Sequence, residues 1–303
     1  MTRYILMVFA GACSYGVLST IVKLAYREGY GAAEISFTQA LLGMAVLWLL
    51  VLSREKVRFR VNWPLLWTGV AIGMTSFVYY LSVRYIPASL AIVLLMQFVW
   101  MGILLDWLLF RQRPGWLQIV STVLILAGSV LSGGILKEAP AATTPIPGTD
   151  GQTIGILLAL ASAFLYAIYI VANSRYGKEL NPLRKSAVIM TGSTLGIGLV
   201  NLHSLLSQPH TDAGLWKWTV LLALFGTIIP PVLFAKGMPR IGAGISAVVM
   251  TVELPVAMIA SGILLGEQLD GVQWCGVVLI LAAIVWLKVG KGAKAKEDLE
   301  STA

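Results

Sequence analysis

The sequence predicts an all-α polytopic membrane protein: ten transmembrane helices arranged as two inverted five-helix repeats, with both termini cytoplasmic. Three observations carry that prediction. Of the 303 residues, 58% are hydrophobic and 12% are charged, well below the ~25% charged residues of a soluble chain. Apolar runs recur at lengths near the roughly 20 residues that a helix needs to cross a bilayer. Seventeen of the 22 Lys and Arg residues gather in every second connection between those runs or at the termini, the asymmetry expected of cytoplasmic loops.

The runs are 4–24, 34–52, 63–83, 88–110, 116–136, 154–174, 185–206, 215–235, 243–265 and 273–289, each bounded by charges, glycine or proline. In lipid only a helix satisfies its backbone within one segment, so each reads as α. Arg3 ahead of an apolar run resembles a secretory leader, and Ala10-Gly11-Ala12-Cys13 faintly resembles a cleavage box. The run continues to Val22, too long for such a leader, so an uncleaved first span is expected. With the N-terminus inside, only Lys23, Arg27, Arg84, Lys137 and Lys217 fall outside, against seventeen basic residues within. A missed or false span would reverse the pattern beyond it, so the asymmetry also supports the count of ten.

The connection at 137–152 contains Pro140, Pro145 and Pro147 and reads as an extended external linker. It divides the chain into a first five-helix repeat at 1–136 and a second at 153–289, followed by a disordered cytoplasmic tail at 290–303. The halves match at a constant offset of 155: Val123-Leu124-Ile125-Leu126-Ala127 falls on Val278-Leu279-Ile280-Leu281-Ala282, and Gln118 falls on Gln273. An odd number of spans in each half inverts the second, and in such folds the substrate site lies near the midplane between repeats.

The ninth run carries Glu253 and Pro255 at its centre. An ionisable group at that depth faces a bundle interior or a cavity, and by default it is a functional-site hypothesis. Low dielectric makes the charge on a carboxyl group costly, so such a group exchanges its proton as water reaches it, or anchors a substrate amine. The plainer reading is an acid hydrogen-bonded to a neighbour that holds two helices together. Pro255 lacks an N–H, which predicts a free Thr251 carbonyl beside the acid. Pro230 and Pro231 break the eighth run, and at the same offset the third run has Thr75 and Ser76; these five positions are the expected helix breaks and gates. Gln97, Trp100, Tyr15, Tyr79, Tyr80, Tyr166 and Tyr169 lie at similar depth and offer apolar bodies with polar tips for an amphipathic solute. Asp106 and Asn173, about a turn from the cytoplasmic ends, are expected to reach the interface. Gly192, Ser193, Gly196 and Gly198 read as helix-packing positions.

Pro255-Val256-Ala257, Leu264-Leu265-Gly266-Glu267 and Gln273 through Gly276 to Leu281 resemble the drug/metabolite transporter superfamily, and within it the EamA-type permeases. The first half echoes that pattern less closely, with Arg111-Gln112-Arg113-Pro114 where Gly-Glu is usual. The resemblance implies a 3+3 arrangement of helices around a central cavity, with the fifth and tenth spans peripheral. With the aromatic set and the acid, it makes a secondary transporter the expected function, an exporter or exchanger of a small amphipathic metabolite or drug, working by alternating access in the cytoplasmic (inner) membrane. Proton coupling through Glu253 is one version, and an uncoupled facilitator or a channel is the alternative.

Other classes fit poorly. The net charge of +8 is spread over short loops and forms no basic face, so no nucleic-acid partner is expected. Cys13 and Cys275 lie inside apolar runs without a CxxC or a Cys/His cluster, and His203 and His210 are far apart, so neither a metal nor a disulfide is expected. No nucleotide loop is present, and no cofactor is expected. An intramembrane enzyme would need paired acids, a metal set or a nucleophile with its base, so the chain is not expected to be an enzyme. The partners expected are a small-molecule substrate, the lipid bilayer and, as an option, a second copy in a homodimer.

Overall fold

Apolar runs fold here as helices joined by short turns, and the described residues contain no strand. The computed structural model describes residues 2–54, 62–86, 88–133, 151–207, 213–266 and 269–300, except the side chains of 88, 89, 213 and 288–300. The linker expected at 137–152 lies outside these residues up to position 150, as do Glu267 and His210. The helices are α1 (Thr2–Arg27), α2 (Ala32–Arg54), α3 (Trp63–Tyr85), α4 (Leu90–Phe110), α5 (Trp116–Ser132), α6 (Gly151–Arg175), α7 (Pro182–Val200), α8 (Gly214–Ile241), α9 (Ala243–Leu265) and α10 (Gly271–Glu300). Among the described residues, seven are long and apolar enough to cross a membrane, namely α1 to α4, α6, α8 and α9; α5 and the Gly271–Leu287 part of α10 are shorter apolar helices. The backbone of α10 runs helical to Glu300, through residues for which a disordered tail is expected.

Close backbone approach sets the packing at the centre. A Cβ on Gly69 would strike the Ile189 carbonyl oxygen, and one on Gly192 would strike the Leu66 carbonyl oxygen, so α3 and α7 touch main chain to main chain. Gly16 of α1 lies against the Glu253 carbonyl in the same way, where a Cβ would come within 2.6 Å.

α5 and α10 pack against each other to one side. Ser121 donates to the Ala283 carbonyl at 3.3 Å, Gly128 meets the Gly276 carbonyl, and Ser132 donates to the Gln273 carbonyl at 3.4 Å. Residue number rises on one helix as it falls on the other, so the pair is antiparallel. At the offset of 155, Ser121 corresponds to Gly276 and Gly128 to Ala283. The seam is therefore self-complementary, each residue meeting the counterpart of the other's partner, as in a two-fold interface.

The same offset accounts for three further local structures. α4 is interrupted by a turn at Met96–Gln97 and α9 by a turn at Thr251–Val252. α4 ends on Arg111 in the left-handed conformation (φ 53°), and α9 ends on Gly266 in the same conformation (φ 71°). Gln118 accepts from the Gly115 N–H at 3.0 Å and Gln273 from the Asp270 N–H at 3.0 Å, each closing the first turn of its helix. Asp270 reciprocates by accepting from the Gln273 N–H at 2.8 Å, which Gly115 has no side chain to do.

Candidate functional site

Glu253 begins the second segment of α9, directly after the Thr251–Val252 turn. Pro255 sits in the first turn of that segment, where its missing N–H goes unneeded. The Thr251 carbonyl is not free as expected: the turn tightens, and it accepts from the Leu254 N–H at 3.1 Å. The matching break in α4 has Trp100 where α9 has Pro255. Proline thus suits the break without being required for it.

Around Glu253 a cavity opens between α1 to α4 and α6 to α9. The lining thus draws on four helices of each half, one more than the expected three, while α5 and α10 stay outside it. Among the lining residues Glu253 is the only charged side chain. It is 8% exposed, and Oε2 accepts from the Tyr166 hydroxyl at 3.1 Å. The Tyr166 ring in turn meets Phe98, the residue at Glu253's position in the first half, edge-on at 4.8 Å. Room for the centre of a water molecule amounts to about 50 Å³. That holds a few waters and falls short of the ~300–1,000 Å³ of a pocket around a small organic ligand, so the cavity is contracted.

Of the residues expected from sequence, Tyr15, Tyr79, Tyr80, Tyr166, Thr75 and Ser76 line the cavity with Glu253. Tyr169 lies just behind, stacked on Tyr166 with centroids 6.2 Å apart. Gln97 and Trp100 do not join them: Trp100 is 40% exposed, and its indole N–H donates to Gln97 Oε1 at 2.9 Å on the outer face of α4. Thr75 and Ser76 are not a helix break, because α3 is continuous and their hydroxyls donate back to the Ala71 and Ile72 carbonyls. In α8 the irregularity is a π-helical turn at Ala223–Ile228, and Pro230 and Pro231 open the regular segment after it. Sequence reasoning missed Gln39, Ser19, Ser193 and Thr227 of the lining. The signal for Gln39 was available, an amide buried in the middle of the second apolar run.

Below the cavity, toward the C-terminal end of α6, the helices close on each other. Tyr15 packs edge-on against Phe234 at 5.3 Å. Asn173 is fully buried and donates to the Tyr169 hydroxyl at 3.2 Å, and buried Lys185 donates to the Asn173 carbonyl at 2.6 Å. Asp106, 8% exposed, accepts from Arg175 Nε at 3.0 Å and Nη2 at 2.5 Å, while the Arg175 guanidinium lies 4.7 Å from the Phe110 ring centre. Both residues, expected near the interface, are buried by partners: a cation at the end of α6 holds Asp106, and tyrosine and methionine partners enclose Asn173. At the other end, a second cavity shares Ser19 and Ile92 with the central one and extends to Lys23 and Ser261.

The model of the EamA-like transporter family matches residues 2–134 and again residues 153–289. This chain belongs to the EamA-like transporter family. The two matches to this EamA-like chain fall on its two halves, either side of the connection. An uncharacterized transporter of Synechocystis sp. is 26% identical over 95% of this chain and 93% of its own length. The threonine/homoserine exporter RhtA of Escherichia coli K12 is 27% identical over 88% of this chain and 86% of its own. The uncharacterized transporter YwfM of Bacillus subtilis is 23% identical over 93% and 92%. A crystal structure of another protein superposes with a TM-score of 0.76 at 17% identity, covering 94% of this chain and 98% of that one, which shows a shared fold. The chain is thus a multi-pass membrane transporter of the drug/metabolite type, and a family of transporters is not one of enzymes.

Proposed function

We propose that this EamA-like chain is a secondary carrier. It moves a small amphipathic solute bearing an amine across the cytoplasmic membrane by alternating access, as an exporter or exchanger. The observation that carries this reading is the central cavity, framed by four helices from each half with one acid, Glu253, at a helix break. A lone carboxyl group with no basic side chain in the lining suits an amine, and the tyrosines suit an apolar body. The exporters of threonine and homoserine among its relatives support a solute of amino-acid size.

Ten spans in two inverted halves, with both termini inside, give this carrier its frame. The antiparallel α5–α10 seam and the breaks repeated at a constant offset support the inversion. Further cavities flank the central one, one lined by Ser19 and Lys23 and one by Asp106 and Arg175, which suits a site reached from each side in turn. Glu253 couples the movement to protons by releasing its proton when the amine takes its place.

Flux into proteoliposomes, with and without an imposed pH gradient, tests this for the natural chain and Glu253→Gln. The variant keeps a hydrogen-bonding side chain and cannot titrate. A gradient response present only in the natural chain is expected. Transport indifferent to both gradient and substitution would leave an uncoupled facilitator, and a single-channel current in planar bilayers would replace the carrier with a channel.

A further inference from the structure

Two polar atoms on residues of the central cavity's wall form no hydrogen bond among the described residues. Gln39 Oε1 and the Tyr79 hydroxyl are both buried, on residues 2% and 7% exposed, and neither has a partner there. Tyr80 neighbours both residues: Gln39 Nε2 donates to the Tyr80 hydroxyl at 3.3 Å, and the Tyr79 and Tyr80 ring centroids are 6.2 Å apart. That bond to Tyr80 also fixes the amide, directing Oε1 away from Tyr80 and toward Gly226, where a Cβ would come within 3.9 Å of it. Gly226 is itself part of the wall.

Buried polar groups are almost always satisfied, so two unpaired atoms on residues that line a binding cavity describe the group that should meet them. Oε1 can only accept, and a phenol can donate or accept. An ammonium group would satisfy the amide oxygen and leave the phenol one role; a carboxylate would be repelled by the oxygen. A hydroxyl donates to Gln39 while accepting from Tyr79. From this geometry we infer that Gln39 and Tyr79 form a subsite that reads a substrate hydroxyl, and that the solute is a small hydroxylated amine, hydroxy amino acids included. The inference rests on reading the cavity as the substrate site.

The test uses solute pairs that differ by one hydroxyl: threonine or homoserine against 2-aminobutyrate, and ethanolamine against ethylamine. Each is supplied to proteoliposomes holding the full chain, beside a panel of unrelated metabolites. The natural chain is expected to favour the hydroxylated member of a pair by at least about tenfold in kcat/KM. Tyr79→Phe deletes an oxygen with no hydrogen-bond partner among the described residues, so the variant folds, as its unfolding temperature in detergent should show; the ratio of kcat/KM for the hydroxylated over the deoxy member should shrink. Gln39→Leu should remove the preference altogether. Equal transport of both members, or full preference retained in Tyr79→Phe, overturns the subsite and leaves the carrier standing. Transport confined to solutes without a hydroxyl overturns it likewise. If no solute of any class moves, the carrier reading falls and the subsite with it.

Discussion

Tyr166 is the side chain on which the centre converges. Its ring touches Phe98 and Tyr169, and its hydroxyl holds Glu253. Tyr166→Phe keeps the ring contacts and loses one hydrogen bond, for an expected cost of about 1 kcal/mol. Tyr166→Ala empties the space and should cost ~3–5 kcal/mol. Thermal unfolding in detergent should rank the natural chain, the phenylalanine variant and the alanine variant in that order; equal losses in the two variants would mean that the ring packing carries nothing. At this scale the sequence was readable where chemistry made a residue conspicuous. An acid and five tyrosines in apolar runs announce themselves, and all lie at or beside the cavity. Gln97 and Trp100 were misplaced because depth along a helix is set by residue number, whereas facing depends on rotation about its axis. The α4 break turns that pair outward.

Among the elements, α4–α5 and α9–α10 form one structure built twice from different residues. Arg111 adopts a left-handed backbone that costs a residue with a Cβ about 1–2 kcal/mol, where the second half uses Gly266. Arg111→Gly should therefore stabilise the chain by ~1 kcal/mol, read as a raised unfolding temperature; a lowered one would mean that the arginine side chain compensates for its own backbone. This explains how the departure from Gly-Glu in the first half leaves the fold intact. The matching Gln118 and Gln273 were visible in the sequence as an identity, and the structure gives the cause, a side chain closing the first turn of each helix. The breaks were legible only in α9, since proline marks one copy and nothing marks the other. In α8 the prolines at 230 and 231 marked an irregularity, since neither offers an N–H to the Gly226 or Thr227 carbonyl, but nothing in the sequence marked its form, a π-helical turn at Ala223–Ile228 whose Phe225 carbonyl accepts from Ser14 at 2.6 Å.

For the whole molecule, hydropathy was enough to read an all-α multi-pass membrane protein, since a bilayer leaves the backbone no alternative to helices at these lengths. The inversion is checked by reporter fusions. One at Gly148 is expected to read external and one after Lys296 internal; a tail found outside would break the ten-span arrangement. The cavity wall was harder to read, because it is assembled from eight helices whose mutual rotation no single run records. The α5–α10 seam bears on how such a chain could be assembled. Its self-complementary contacts are those that two separate, identical polypeptides would make, and covalent continuity between the halves adds nothing to them. Residues 1–136 and 153–303, produced as two pieces in the same membrane, should find each other and restore transport. Ser132 and Gly276 would then act as the docking face of what is, physically, a dimer whose partners happen to share one chain.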